Sequence, residues 1–123
     1  MNIRPSGLAW LREKGRATEE RIVVSKYFTA DESFTHTPVW WFEFLERHAI
    51  EEQFLNLLCQ IAPSSSDFHH LRVPMRYFLE HKQHIWFRED KLSFAPHLSA
   101  EKSRLFREIR GDGRIEFRNF NVE

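Results

Sequence analysis

Residues 38–77, PVWWFEFLERHAIEEQFLNLLCQIAPSSSDFHHLRVPMRY, constrain the fold more than any other stretch. Three apolar blocks, 39–45, 54–61 and 68–73, hold most of the large side chains able to build a core, and the last stops at Pro74. In the first block Val39, Trp41, Glu43 and Leu45 alternate with Trp40, Phe42 and Phe44, so a strand there carries bulk on both faces. That pattern reads as a central strand covered on both sides. The second block fits two templates. As a helix it groups Phe54, Leu55, Leu57, Leu58 and Ile61; as a strand it puts Leu55, Leu57, Cys59 and Ile61 on one clean face. We read it as a strand, joined through Pro63-Ser-Ser-Ser-Asp67 to a second strand FHHLRV in a hairpin.

The rest of the chain supplies partners for this stretch. Ser6 is placed to cap a short helix that ends at Gly15 and carries Leu8, Trp10 and Leu11. RIVVSKYFT, residues 21–29, is β-branched and aromatic and reads as a strand, and residues 30–37 read as a polar loop. Pro74 opens a helix with Met75, Phe78 and Leu79 inward. Residues 85–87 and 92–94 form a hairpin around Arg88-Glu-Asp-Lys91. Ser99 caps a further helix with Leu105, Phe106 and Ile109 on its inner stripe, ended by Gly111, and RIEFRNFNV forms a last strand. The expectation is one α+β domain over residues 1–123: a largely antiparallel sheet of five to six strands with two or three helices packed on it.

At 123 residues, with twelve Phe, four Trp and two Tyr, the chain can bury a single substantial core despite a negative mean hydropathy. The one cysteine, Cys59, rules out an internal disulfide and a cysteine-built zinc cage, and its apolar setting reads as core. No apolar run reaches membrane-spanning length, and the N-terminus has no apolar signal segment, so a cytoplasmic protein is expected. Eighteen basic and eighteen acidic residues cancel overall. Residues 1–27 carry six Lys/Arg against three acids, residues 28–60 one against six, and residues 91–123 seven against five. The ends are therefore basic and the middle acidic.

Residues 21–77 resemble the later part of a PD-(D/E)XK restriction-endonuclease-like domain. The shared pattern is a lysine-bearing strand (IVVSKYF), an aromatic strand (VWWFEF), an apolar strand (FLNLLCQI) and a strand-to-helix passage (FHHLRVPMRYFLE). In that family an acid two positions before the lysine binds a divalent metal; here the lysine match is Lys26 and the acid's place is taken by Val24. Upstream acids, Glu19 or Glu20, lie close to the lysine in sequence. The resemblance thus implies a degenerate, binding or accessory domain of a restriction or defence system, with Mg²⁺ needed only if the chain is an active nuclease.

The residues themselves show no spaced carboxylate set of the kind metal-assisted phosphodiester hydrolysis needs. His69 and His70 point to opposite faces of a strand, and His81 with His84 gives two ligands without a third. Glu43, inside an aromatic strand, is either a buried acid or paired with a base. No metal site and no cofactor are expected. Arg104, Arg107 and Arg110 fall a turn apart on the expected C-terminal helix, followed by Arg114 and Arg118, with Phe106, Phe117 and Phe120 interleaved. That arrangement suits contact with DNA or RNA backbone; the same arginines would equally pair with Glu101, Glu108 and Glu116 on a solvated face. With Lys26 they form the expected nucleic-acid-binding set. The rival expectation is a self-associating or other protein-interaction domain using the surface around Trp40 and Trp41.

Overall fold

The computed structural model describes residues 2–122. Helix α1 (Arg4–Glu13) starts with Pro5 in its first turn, where a missing N–H costs nothing, so Ser6 lies inside the helix rather than at its cap. Strand β1 (Arg21–Ser25) follows. Then come β2 (Val39–Trp41), β3 (Phe44–Leu45), α2 (Glu46–Glu51), β4 (Phe54–Gln60), β5 (Phe68–Pro74) and α3 (Met75–Glu80). The chain finishes with β6 (Phe87–Arg88), β7 (Ser93–Phe94), β8 (His97–Ser99) and short 3₁₀ turns. Among the described residues no helix is long and apolar enough to cross a membrane.

The class is α+β. The single broad sheet of the sequence reading is replaced by three small ones, with strand orders β1-β4-β5, β2-β8 and β3-β7-β6. Pairing is antiparallel except between β1 and β4, which run parallel with Arg21 opposite Leu55 and Ser25 opposite Cys59. The 54–61 block is a strand over Phe54–Gln60 and forms the expected hairpin with β5.

The 39–45 block is not one central strand. It divides into β2 and β3, whose partners are β8 and β7. The two ladders share one register: Trp41 faces His97 and Phe44 faces Phe94, which sets Phe42 and Glu43 opposite Pro96 and Ala95. Pro96 has no N–H to give the ladder, and the Ala95 N–H goes instead to the Trp86 carbonyl (2.9 Å). The break between the two sheets is thus an interruption of one antiparallel ribbon at Pro96, which accepts from the Phe42 N–H (3.1 Å) and has no N–H to return.

The helix expected after Ser99 is absent. Only a 3₁₀ turn, Lys102–Arg104, forms. Phe106 then adopts φ 67° and donates its N–H to the Ser99 carbonyl (2.9 Å), while Arg107 bridges Glu116 and Glu108 bridges Leu98. A one-sided helix cannot bury this segment, because Phe106 and Glu108 are both enclosed, at 1% and 0% exposure. The last expected strand likewise reduces to bridges and a 3₁₀ turn, Arg118–Phe120, although Ile115 and Phe117 are buried as read.

Sheet β1-β4-β5 is covered on both faces. Alternation along β4 sends Leu55, Leu57 and Cys59 into the main core with Trp40, Phe42, Phe78, Phe94 and Phe117. Leu58 faces the other way, into a smaller cluster with Trp10 and Leu11 of α1 and Phe68 of β5. Gly7 sets the distance: a Cβ there would lie 2.9 Å from Val24 Cγ1 and 3.1 Å from Leu58 Cδ1. Cys59 is buried and its thiol pKa is pushed well up by burial, as expected of a core residue.

Candidate functional site

Beside this interrupted ribbon lies a cleft of about 530 Å³. Alternation puts Trp40, Phe42 and Phe44 inward, and leaves Trp41 outward and 42% exposed. Trp41 stacks on its cross-strand partner His97, with ring centroids 5.9 Å apart and planes 24° apart. Trp86 and Phe87 supply a second wall from β6 and the residue before it, and Phe34 reaches over from the 30–37 loop at 84% exposure. Arg110 closes the cleft. Its guanidinium lies 4.5 Å from the Trp86 ring centroid and 5.1 Å from that of Phe34. Aromatic rings attract such a cation through their negative faces, and attract planar ligands by stacking.

A buried carboxylate holds this arrangement. Glu108, with no exposed surface, accepts the backbone N–H groups of His97 (2.9 Å), Arg110 (3.1 Å) and Gly111 (2.7 Å). One acid therefore ties β8 to the segment that carries Arg110. Burial raises the Glu108 pKa, while these N–H groups pull it down. Gly111 is required at this point, since a Cβ would fall 2.3 Å from the His84 carbonyl oxygen.

His97 is buried and its pKa is lowered by desolvation. Its Nδ1 lies 2.9 Å from the Ala95 carbonyl oxygen, which can only accept, so Nδ1 carries the proton. Nε2 is then a lone-pair acceptor, in a ring that lines the cleft.

The expected basic row is dispersed. Arg104 pairs with Glu101 (3.0 Å), Arg107 with Glu116 (3.0 Å), Arg114 with Asp112 (3.7 Å) and Arg118 with Glu116 (3.3 Å). Arg110 alone of the five has no ion pair among the described residues, and it is the one in the cleft. Trp40 is corrected from a surface to a core residue. It is 1% exposed, stacked on Phe106 and bonded through Nε1 to the Gln60 carbonyl (2.7 Å). Trp41 keeps the exposure expected of it.

Lys26 lies just past β1 in a salt bridge with Glu32 (2.8 Å), whose pKa is drawn down to about 2 chiefly by that lysine. Lys26, Val24 and Glu43 line one groove, and the acid bonded to Lys26 is Glu32 of the 30–37 loop. Glu43 is held by Ser93 Oγ (2.7 Å) and Arg88 (3.3 Å). Glu20 is held by Arg72 (2.6 Å) and Asn56 (3.1 Å). Among the described residues no three His, Cys, Asp or Glu side chains converge to hold a metal. The residues at the nuclease-like positions therefore do not fit a Mg²⁺ site. His69 packs against Trp40 and Phe106, His81 against Tyr77, and His84 pairs with Asp112.

Of the cleft's lining, the sequence singles out Trp41, as a protein interface, and Arg110, as a nucleic-acid contact, but not Phe34, Trp86 or His97. Phe34 had a usable signal: a lone large apolar residue in a polar loop has no core to join. No family model, curated protein or solved structure matches the chain. What fold and site define is a small α+β domain with an aromatic cleft closed by an arginine that has no ion pair among the described residues.

Proposed function

We propose that the chain is a nucleic-acid-binding or accessory module that lays an unpaired base of single-stranded DNA or RNA into the aromatic cleft. Arg110 carries the reading: a guanidinium without a carboxylate partner among the described residues, set on two aromatic rings, in a cleft roomy enough to admit a planar base. Single-strand binders combine stacking platforms with cations in this way. An accessory role agrees with the nuclease-like resemblance, because a chain with Val24 in the acid's place and Lys26 bound to Glu32 can hold nucleic acid without cutting it.

The test is a tryptophan-fluorescence titration with short single- and double-stranded DNA and RNA at two salt concentrations. Single strands should quench Trp41 and Trp86; duplexes should bind poorly, since their bases are stacked away. Trp86→Ala and Arg110→Ala should each weaken binding roughly tenfold or more, as loss of base stacking does. Salt dependence should be shallow, about −0.7 in log–log slope per phosphate contact, because the other arginines of the set are already paired. No quenching at low salt would sink the proposal, and cleavage on adding Mg²⁺ would establish an active nuclease instead. The exposed rings of Phe34 and Trp41 favour a second reading, self-association. Sedimentation would show a dimer that Trp41→Ser disperses.

A further inference from the structure

We infer that the cleft selects guanine over the other bases, Arg110 reading its O6/N7 edge and the acceptors of the lining taking its N–H edge. The inference rests on the base-binding reading above and adds a chemistry to it. The polar groups of the cleft are unequal in kind. The donor is a fork, the Arg110 guanidinium, with its N–H groups uncommitted to any carboxylate among the described residues. Arg88, the other cation of the lining, is occupied by Glu43 (3.3 Å) and Asp90 (3.6 Å). The remaining polar groups accept: His97 Nε2, left with a lone pair because Nδ1–H is bound to the Ala95 carbonyl, and the carboxylates of Glu89 and Asp90.

A ligand that satisfies this set needs two adjacent acceptors for the fork and N–H donors on another edge. Guanine has that pattern, with O6 and N7 side by side and N1–H and N2–H₂ beyond them. Adenine and cytosine place an amine beside their ring acceptor, which meets the guanidinium N–H groups donor to donor. Thymine and uracil offer one carbonyl where the fork wants two acceptors. The carboxylates at the rim also disfavour a phosphate entering in place of the base, so Arg110 is directed to the base edge. Its position is fixed from behind, through the bond of its backbone N–H to Glu108.

The experiment uses the whole chain and octathymidylates whose central position is guanosine, adenosine, cytidine, thymidine or 7-deazaguanosine, followed by tryptophan quenching. Guanosine should bind about tenfold more tightly than the others, the discrimination a bidentate arginine contact provides. The 7-deaza analogue, which lacks the N7 lone pair, should lose most of that gain. Arg110→Lys keeps the charge and loses the fork, so the preference should vanish while binding to octathymidylate persists. Equal affinity for all five oligonucleotides overturns the guanine inference and leaves the base-stacking reading standing. No quenching by any of them overturns both.

Discussion

His70 lies at the centre of a buried polar chain that faces α1. Its Nε2 is 2.7 Å from Asn56 Oδ1, and Asn56 Nδ2 donates to Glu20 (3.1 Å) and to the Arg21 carbonyl (3.3 Å). The amide oxygen can only accept, so Nε2 bears the proton, and Nδ1 is enclosed without a partner among the described residues. Burial, reinforced by Arg16, lowers the His70 pKa to about 4. The unfolded chain therefore binds a proton near pH 6.5 that the folded chain refuses until near pH 4. Stability is complete above pH 6.5 and declines as pH falls toward 4, by roughly 3 kcal/mol for a shift of this size. Denaturant unfolding of the protein and of a His70→Gln variant between pH 7 and 4 checks this. The variant should be less stable at pH 7 but lose less on acidification. His97, shifted in the same direction, contributes to both curves and cancels in their difference. Parallel curves would show that His70 is not the titrating group.

At the level of elements, the contact between α1 and the sheet turns on Gly7. Alanine is the better helix former by about 1 kcal/mol, so on propensity alone Gly7→Ala stabilises. The contacts at 2.9–3.1 Å to Val24 and Leu58 argue the reverse. Both are branched side chains in packed positions, and overpacking there costs about 1–3 kcal/mol. A lower thermal midpoint for Gly7→Ala is expected, and a higher one would mean the sheet yields easily. How far elements could be read from sequence depended on where their apolar residues were destined to go. Block 54–61 fitted a helix as well as a strand. As the strand reading expects, Leu55, Leu57 and Cys59 share the core face, but Leu58 is buried on the other side and Ile61 falls past the strand, 42% exposed, while the hairpin to β5 followed from the loop. The segment after Ser99 was not legible, because Leu105, Phe106 and Ile109 have helical spacing while the backbone bonds are not helical: Phe106 pairs with Ser99 and Phe117, and Ile109 with His97. The split of 39–45 at Pro96 was equally hidden, since the residue that breaks the ladder sits on the partner strand. The same holds for the cleft. Trp41 was legible from alternation, but its neighbours depend on pairings distant in sequence: His97 comes from β8 opposite it, and Trp86 is held by the Ala95 N–H.

For the whole molecule, β4 unites two cores. Leu57 is buried in the main cluster and its neighbour Leu58 in the one under α1. Leu57→Ala and Leu11→Ala should each cost about 2–5 kcal/mol. Because one strand carries both faces, each variant should still unfold in a single transition, with near-ultraviolet dichroism and tryptophan fluorescence coinciding. Two separated transitions would show that the α1 layer melts on its own.

The parallel pairing of β1 with β4 also sets an order in time. Strands β4 and β5 are joined by a short loop and can zip together from it, a microsecond event for an isolated hairpin. Strand β1 has no such neighbour, since β2, β3 and α2 all lie between Arg21 and its partner Leu55. Its ladder closes only after that long loop has been gathered in, which is entropically slow. Until then one backbone edge of the strand that joins the two cores stands open. The risk of misassembly is concentrated in that interval, and a faster route to closing β1 onto β4 would shorten it.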